Sequence, residues 1–149
     1  TTAPKPLIET LALAKQGQDQ CSSTIGQYVA HAFASQGLID RQRKRAVHLY
    51  RRKRDVMLSA LERHMPARAR WTRPEGGFYT WVTLPEPMDT EALLPRAIEE
   101  AGVAYGAGPA FYHDRGGKNH MRLSYSYASD DRIQEGIKRL GEMLRTVVE

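Results

Sequence analysis

Cysteine is nearly absent from this chain: Cys21 is the single one among 149 residues. An internal disulfide is therefore excluded, and the reducing cytoplasm is the expected setting. Cys21 stands between Gln20 and Ser22 with no evident histidine partner, so it is read as a small packed thiol rather than a nucleophile. Long apolar runs are missing as well. Nothing approaches the roughly 18 apolar residues needed to cross a bilayer, and no N-terminal stretch has the charged, apolar, small-residue order of a secretion signal. The first 65 residues hold little low-complexity sequence and no detectable internal repeat, and no metal site is assigned.

The chain does hold one domain's worth of residues, enough for a single sizeable core. Its formal charge of +5 is concentrated: "RQRKRAVHLYRRKR", residues 41–54, holds eight of the 22 lysines and arginines and no acid. Such a run invites a nucleic-acid reading. Against it, Val47, Tyr50, Met57, Leu58 and Leu61 recur at helical spacing. The segment is therefore an amphipathic helix whose basic residues form a wet or partner-facing side. Arg54 falls on the apolar stripe and is expected to meet a carboxylate or a carbonyl.

The first 65 residues read as almost wholly helical. Pro6 suits a first turn, Leu7, Leu11 and Ala14 share a face, and Gly17 is a stop. Ser22, Ser23 or Thr24 caps a second helix bearing Ile25, Tyr28, Val29, Ala32 and Phe33 on one side. Gly37 breaks it, Asp40 caps a renewed helix to about Arg63, and Pro66 closes the run. The character then changes. "RPEGGFYTWVTLPEP" is a Gly76-Gly77 turn feeding an aromatic and β-branched strand. Asp89 or Thr90 caps a helix bent at Pro95 and ended at Gly102. "VAYGAG" is a short strand, "FYHDRGGKN" a loop turning at Gly116-Gly117, and "HMRLSYSY" a further strand. Ser129 or Asp130 caps a closing helix striped by Ile133, Ile137, Leu140, Met143 and Leu144. The fold class is thus α+β: a small, mostly antiparallel sheet covered by helices, with a long N-terminal helical segment. Residues 1–65 form the helical segment and 66–149 the α+β domain.

In "NHMRLSYS", residues 119–126, Met121, Leu123 and Tyr125 point one way while His120, Arg122, Ser124 and Ser126 point the other. On the strand pattern alone, an arginine among small hydroxyls is a solvated or ion-paired surface residue.

Four stretches in order resemble one family. "YRRKRDVMLSAL" (50–61), "RPEGGFYTWVTL" (73–84), "GVAYGAGPAF" (102–111) and "NHMRLSYSYASDDRIQEGIKRL" (119–140) look like the C-terminal part of fold-type-I pyridoxal-phosphate aminotransferases. The branch is that of the aminoadipate and kynurenine aminotransferases and the aminotransferase-like half of certain regulators. The resemblance implies that Arg122 pairs with the α-carboxylate of a substrate, that Phe78 and Tyr79 line the entrance to the site, and that Ser22, Ser23 and Thr24 approach the neighbouring subunit's cofactor phosphate. Ala107 departs from the pattern, which often has a proline there, while Gly108 and Phe111 stay in register.

The function this resemblance implies is that of a C-terminal domain of an aminotransferase using pyridoxal 5'-phosphate. Its substrates would be an α-amino acid and a 2-oxo acid, and a homodimer is the expected assembly. The Schiff-base lysine, the aspartate that pairs with the pyridinium nitrogen, the ring-stacking aromatic and the phosphate cup belong in that family to the preceding large domain. Lys5 and Lys15 match nothing catalytic, so residues 1–65 are expected to bridge to that domain and the piece alone to be inactive. A second reading makes the parent a winged-helix transcription regulator that uses this domain as a ligand sensor. A third, nucleic-acid binding through residues 41–54, is not the expected function.

Overall fold

A computed structural model describes residues 2–18 and 21–148. The chain divides into two compact units, Thr1–Arg45 and Ala46–Glu149, with the division falling inside the third helix.

In the first unit, α1 (Lys5–Gln18) runs one residue beyond Gly17, and α2 (Thr24–Ser35) starts behind Ser23. The Ser23 hydroxyl accepts from the Gly26 amide at 3.2 Å, satisfying one of the donors a helix start leaves orphaned. Neither helix buries a residue; Leu7, Leu11, Ile25, Tyr28, Val29 and Phe33 are all exposed. Helix α3 (Leu38–His64) begins directly after Gly37, whose φ of +67° suits glycine. Asp40 therefore lies in its first turn rather than at its cap. Cys21, expected to be packed, is exposed.

The second unit contains a four-stranded sheet of β1 (Arg70–Trp71), β2 (Tyr79–Thr83), β3 (Gly106–Ala107) and β4 (His120–Ser124), in the order β1-β2-β4-β3. Every ladder is antiparallel. Strand β1 is only two residues long and was not legible from sequence; it forms because Trp71 sits opposite Val82 and packs on the core. Helix α4 (Thr90–Arg96) has Asp89 as its cap, accepting from the Glu91 and Ala92 amides at 3.0 and 3.1 Å. After Pro95 the helix widens into a π-helical turn, Ala97–Ala101, and Gly102 ends it with φ +65°. Proline cannot donate to the ladder, and the widened turn absorbs the defect.

Helix α5 (Asp130–Val148) closes the unit, with the Ser129 carbonyl accepting from the Ile133 amide. Ile133, Ile137, Leu140, Met143 and Leu144 are all buried, as their spacing predicts. They meet Met57, Ala60 and Leu61 of α3 and the inner sheet face of Val82, Met121 and Leu123. Each of the larger side chains contributes about 1.5–3 kcal/mol when fully buried. Val47, predicted on the same stripe of α3, is instead exposed. Gly141 lets α5 approach α3 closely: a Cβ there would lie 2.1 Å from the His64 carbonyl oxygen.

Candidate functional site

Pairing across β2, β4 and β3 decides what shares the outer sheet face. Trp81 and Gly106 lie opposite Arg122, Tyr79 opposite Ser124, and Thr83 opposite His120. The predicted alternation of β4 holds: Met121, Leu123 and Tyr125 are buried, while His120 and Arg122 are half-buried on the other side.

The Arg122 guanidinium is clamped between two rings, its Cζ 4.0 Å from the centroid of Tyr79 and 4.1 Å from that of Phe111. Phe111 comes from the 3-10 turn Gly108–Phe111 that follows β3. It reaches Arg122 because residue 106 is glycine; a Cβ there would lie 2.9 Å from the Phe111 ring. Ring faces attract a cation but accept none of its in-plane hydrogen bonds. Among the described residues these two stacking contacts are the guanidinium's interactions. The contrast with Arg52, Arg54, Arg73, Arg96, Arg115 and Arg139 is direct, for each of those meets a carboxylate. Arg122 is thus held in place, half-buried, with its donor edge unspent. Such a group can take a planar, two-oxygen anion by two parallel N–H bonds.

Beside the clamp lies a group that sequence reasoning missed. The Trp81 indole N–H donates to Nδ1 of His120 at 2.7 Å, and the Tyr112 hydroxyl lies 3.2 Å from the same atom. Because the indole can only donate, Nδ1 is an acceptor and the ring proton sits on Nε2. Trp81 also meets Phe111 edge to face, centroids 5.5 Å apart. The strand alternation placed His120 and Arg122 on one face, but nothing local paired His120 with a residue 39 positions away.

Other predicted residues fall as follows. Tyr79 is part of the clamp, whereas Phe78 packs against Tyr50 with centroids 4.8 Å apart. Arg54 meets both expected partner types, the Asp55 carboxylate at 2.6 Å and the Pro74 carbonyl at 3.3 Å. Its neighbour Lys53 is buried, its ammonium donating to the carbonyls of Tyr127 and Ala128. Burial raises the Tyr125 hydroxyl above its ordinary range, Arg54 pulling the other way, and that hydroxyl donates to the Gly76 carbonyl at 3.3 Å. The loop before β2 is therefore tied down from two sides. Lys5 pairs with Glu9, and Lys15 lies 3.5 Å from the Ser22 hydroxyl. No lysine is among the contacts of Arg122. Around Arg122 the described residues offer two parallel donors to an anion and no amine to an aldehyde.

No protein-family model matches the chain. Curated proteins do. The chain is 43% identical over 138 residues to aromatic-amino-acid aminotransferase 1 of Thermococcus litoralis, covering 93% of this chain and 33% of that protein. It is 38% identical over 138 residues to 2-aminoadipate transaminase of Thermus thermophilus, covering 93% and 34%. Among solved structures, the kynurenine aminotransferase of Pyrococcus horikoshii superposes with a TM-score of 0.89 at 42% identity, over 97% of this chain and 36% of that one. An uncharacterised helix-turn-helix transcriptional regulator of Bacillus subtilis is also similar, at 32% identity over 142 residues, covering 95% of this chain and 29% of the regulator. The chain spans about a third of the length of the curated aminotransferases it matches. It belongs to the fold-type-I aminotransferases, in the aminoadipate and kynurenine aminotransferase branch, and corresponds to their C-terminal region.

Proposed function

We propose that this chain is the substrate-anchoring C-terminal domain of a pyridoxal-phosphate aminotransferase, in which Arg122 binds the α-carboxylate of an amino acid or 2-oxo acid. The observation that supports this reading is the guanidinium stacked between Tyr79 and Phe111 with no acceptor on its donor edge among the described residues. The rings restrict it to a plane, so a carboxylate bound there is oriented as well as attracted. Orientation matters because the Cα–H bond must stand perpendicular to the plane that receives its electrons, and positioning can supply several kcal/mol of a barrier. Pyridoxal 5'-phosphate, when bound by the whole protein, supplies the electron sink for that bond. The small Ser124 and Ser126, bonded to each other at 3.0 Å, leave room beside the anchor.

Residues 1–65 act in this reading as the helical segment bridging to a large domain, and 66–149 as the small domain. The exposed apolar side chains of α1 and α2 support a homodimeric parent that covers them. No described helix is long and apolar enough to cross a membrane. The single cysteine supports a reducing, cytoplasmic setting.

Replacing Arg122 with glutamine in the intact polypeptide tests the proposal. Turnover of amino acids, as kcat/KM, should fall about 10²- to 10³-fold, the scale of losing a bidentate charged pair. Amines of the same side chain but without a carboxylate should be converted no worse than before. Equal losses on both substrates, or none, would remove Arg122 from this role.

The similarity to a transcriptional regulator supports a second reading, in which the same anchor senses an amino acid rather than processing one. The coding sequence upstream of Thr1 separates the two: a winged-helix module there favours the sensor.

A further inference from the structure

We infer that His120 is a positioning residue for the Arg122 anchor, acting through Trp81 rather than by touching substrate. The inference rests on the reading of Arg122 as a carboxylate ligand and adds the group that holds its clamp.

Phe111 is the weaker half of that clamp. Its ring closes one side of the guanidinium, but it hangs from a 3-10 turn, whereas Tyr79 sits in strand β2. It also meets Trp81, edge to face at 5.5 Å. An aromatic contact of this kind holds Phe111 only if the indole keeps one orientation. Trp81 is half-buried on the outer sheet face, where its ring contacts are Phe111, Tyr112 and His120 and its χ2 torsion is intrinsically broad. The bond from its N–H to His120 Nδ1, at 2.7 Å, supplies that orientation. Tyr112, next in chain to Phe111, brings its hydroxyl to the same nitrogen and its ring within 5.9 Å of the imidazole. One acceptor atom therefore ties the strand that carries Trp81 to the turn that carries Phe111. His120 and Arg122 share the outer face of β4 two residues apart, so the rigid strand sets the spacing between support and anchor.

A support of this kind changes how firmly a carboxylate is oriented, without changing the charge that attracts it. The test uses the intact polypeptide with amino acids and with the matching amines that lack a carboxylate. His120→Phe keeps a ring but removes the acceptor, and should lower kcat/KM for amino acids about five- to ten-fold, the scale of one hydrogen bond. Amine turnover should stay within about two-fold. His120→Asn places an amide oxygen near the position of Nδ1 and should restore most of the loss. Trp81→Phe removes the donor and should match His120→Phe, while the double variant should be no worse than either single one. Where His120→Phe does not fold, the Trp81→Phe and His120→Asn arms carry the test. Equal losses on amines, additive losses in the double variant, or failure of asparagine to rescue would overturn the inference. Arg122→Gln run in parallel separates the two proposals. If it fails to discriminate amino acids from amines, the carboxylate reading falls; if it discriminates while the Trp81 and His120 variants do not, only the positioning role falls.

Discussion

Thr90 donates its hydroxyl to the carbonyl of His120 across 2.6 Å, although thirty residues separate them. The same side chain accepts from the Gly108 amide at 3.3 Å, and the Thr90 amide donates to the Lys118 carbonyl at 2.7 Å. A single, fully buried threonine at the start of α4 thus joins both ends of the loop that delivers Phe111 to Arg122.

Thr90→Val keeps the shape and removes the hydroxyl, leaving the His120 carbonyl and the Gly108 amide short of a partner. The expected loss is about 2–3 kcal/mol of stability, read from urea unfolding, with faster hydrogen exchange through residues 108–120. Thr90→Ser, which keeps the oxygen, should cost far less.

Two glycines of α5 should respond oppositely to alanine. At Gly141 a Cβ would meet the His64 carbonyl oxygen at 2.1 Å, so Gly141→Ala forces the two helices apart and should cost about 2–3 kcal/mol. At Gly136 the nearest atom is a Val103 methyl at 3.7 Å, an ordinary contact. Gly136→Ala should therefore stabilise the helix by about 0.5–1 kcal/mol. Thermal unfolding of the pair followed by circular dichroism checks both signs.

Alkaline pH should weaken the second unit through Tyr105. Burial, with the Asp89 charge adding to it, pushes its hydroxyl up to about 12, from an ordinary value of about 10. The folded state therefore holds this proton more tightly than the unfolded state does. The stability it contributes is complete below about pH 10 and is lost as pH rises through about 12, on the order of 2 kcal/mol in all. Tyr105→Phe starts lower, since the donor to the Thr90 carbonyl at 2.8 Å is gone. Across that window it should lose less than the parent. Tyr125 shifts in the same direction, so the difference between the two proteins is the quantity to measure.

Arg122→Lys keeps the charge but replaces a planar fork with a point donor on a flexible stem. Under the proposed function, kcat/KM for amino acids should fall about 10- to 100-fold, less than for glutamine at the same position. Steady-state kinetics on the intact polypeptide give the ordering; a lysine variant as active as the parent would mean that charge alone is at work.

Much of the architecture was legible along the chain. The stripe of α5, the alternation of β4, the Asp89 and Ser23 caps and the stop at Gly102 are all encoded by residues within a few positions of one another. Such signals act through local sterics and the period of a helix or strand, so no distant partner is needed to read them. The same logic placed Arg122 on the face opposite the core. It mispredicted Cys21 and Val47, because whether a side chain is covered depends on what lies against it, which spacing alone does not state.

The sequence by itself therefore determined the order of the helices and of strands β2, β3 and β4, the sheet face that carries Arg122, and the family resemblance. Only the tertiary structure decided that Tyr79 and Phe111 close on the guanidinium, that His120 accepts from Trp81, and that Lys53 is buried under the carbonyls of Tyr127 and Ala128. The physical reason is separation along the chain. These partners lie between 11 and 75 residues apart, and their meeting depends on how strands register and where a glycine lets a ring pass, which no local propensity carries.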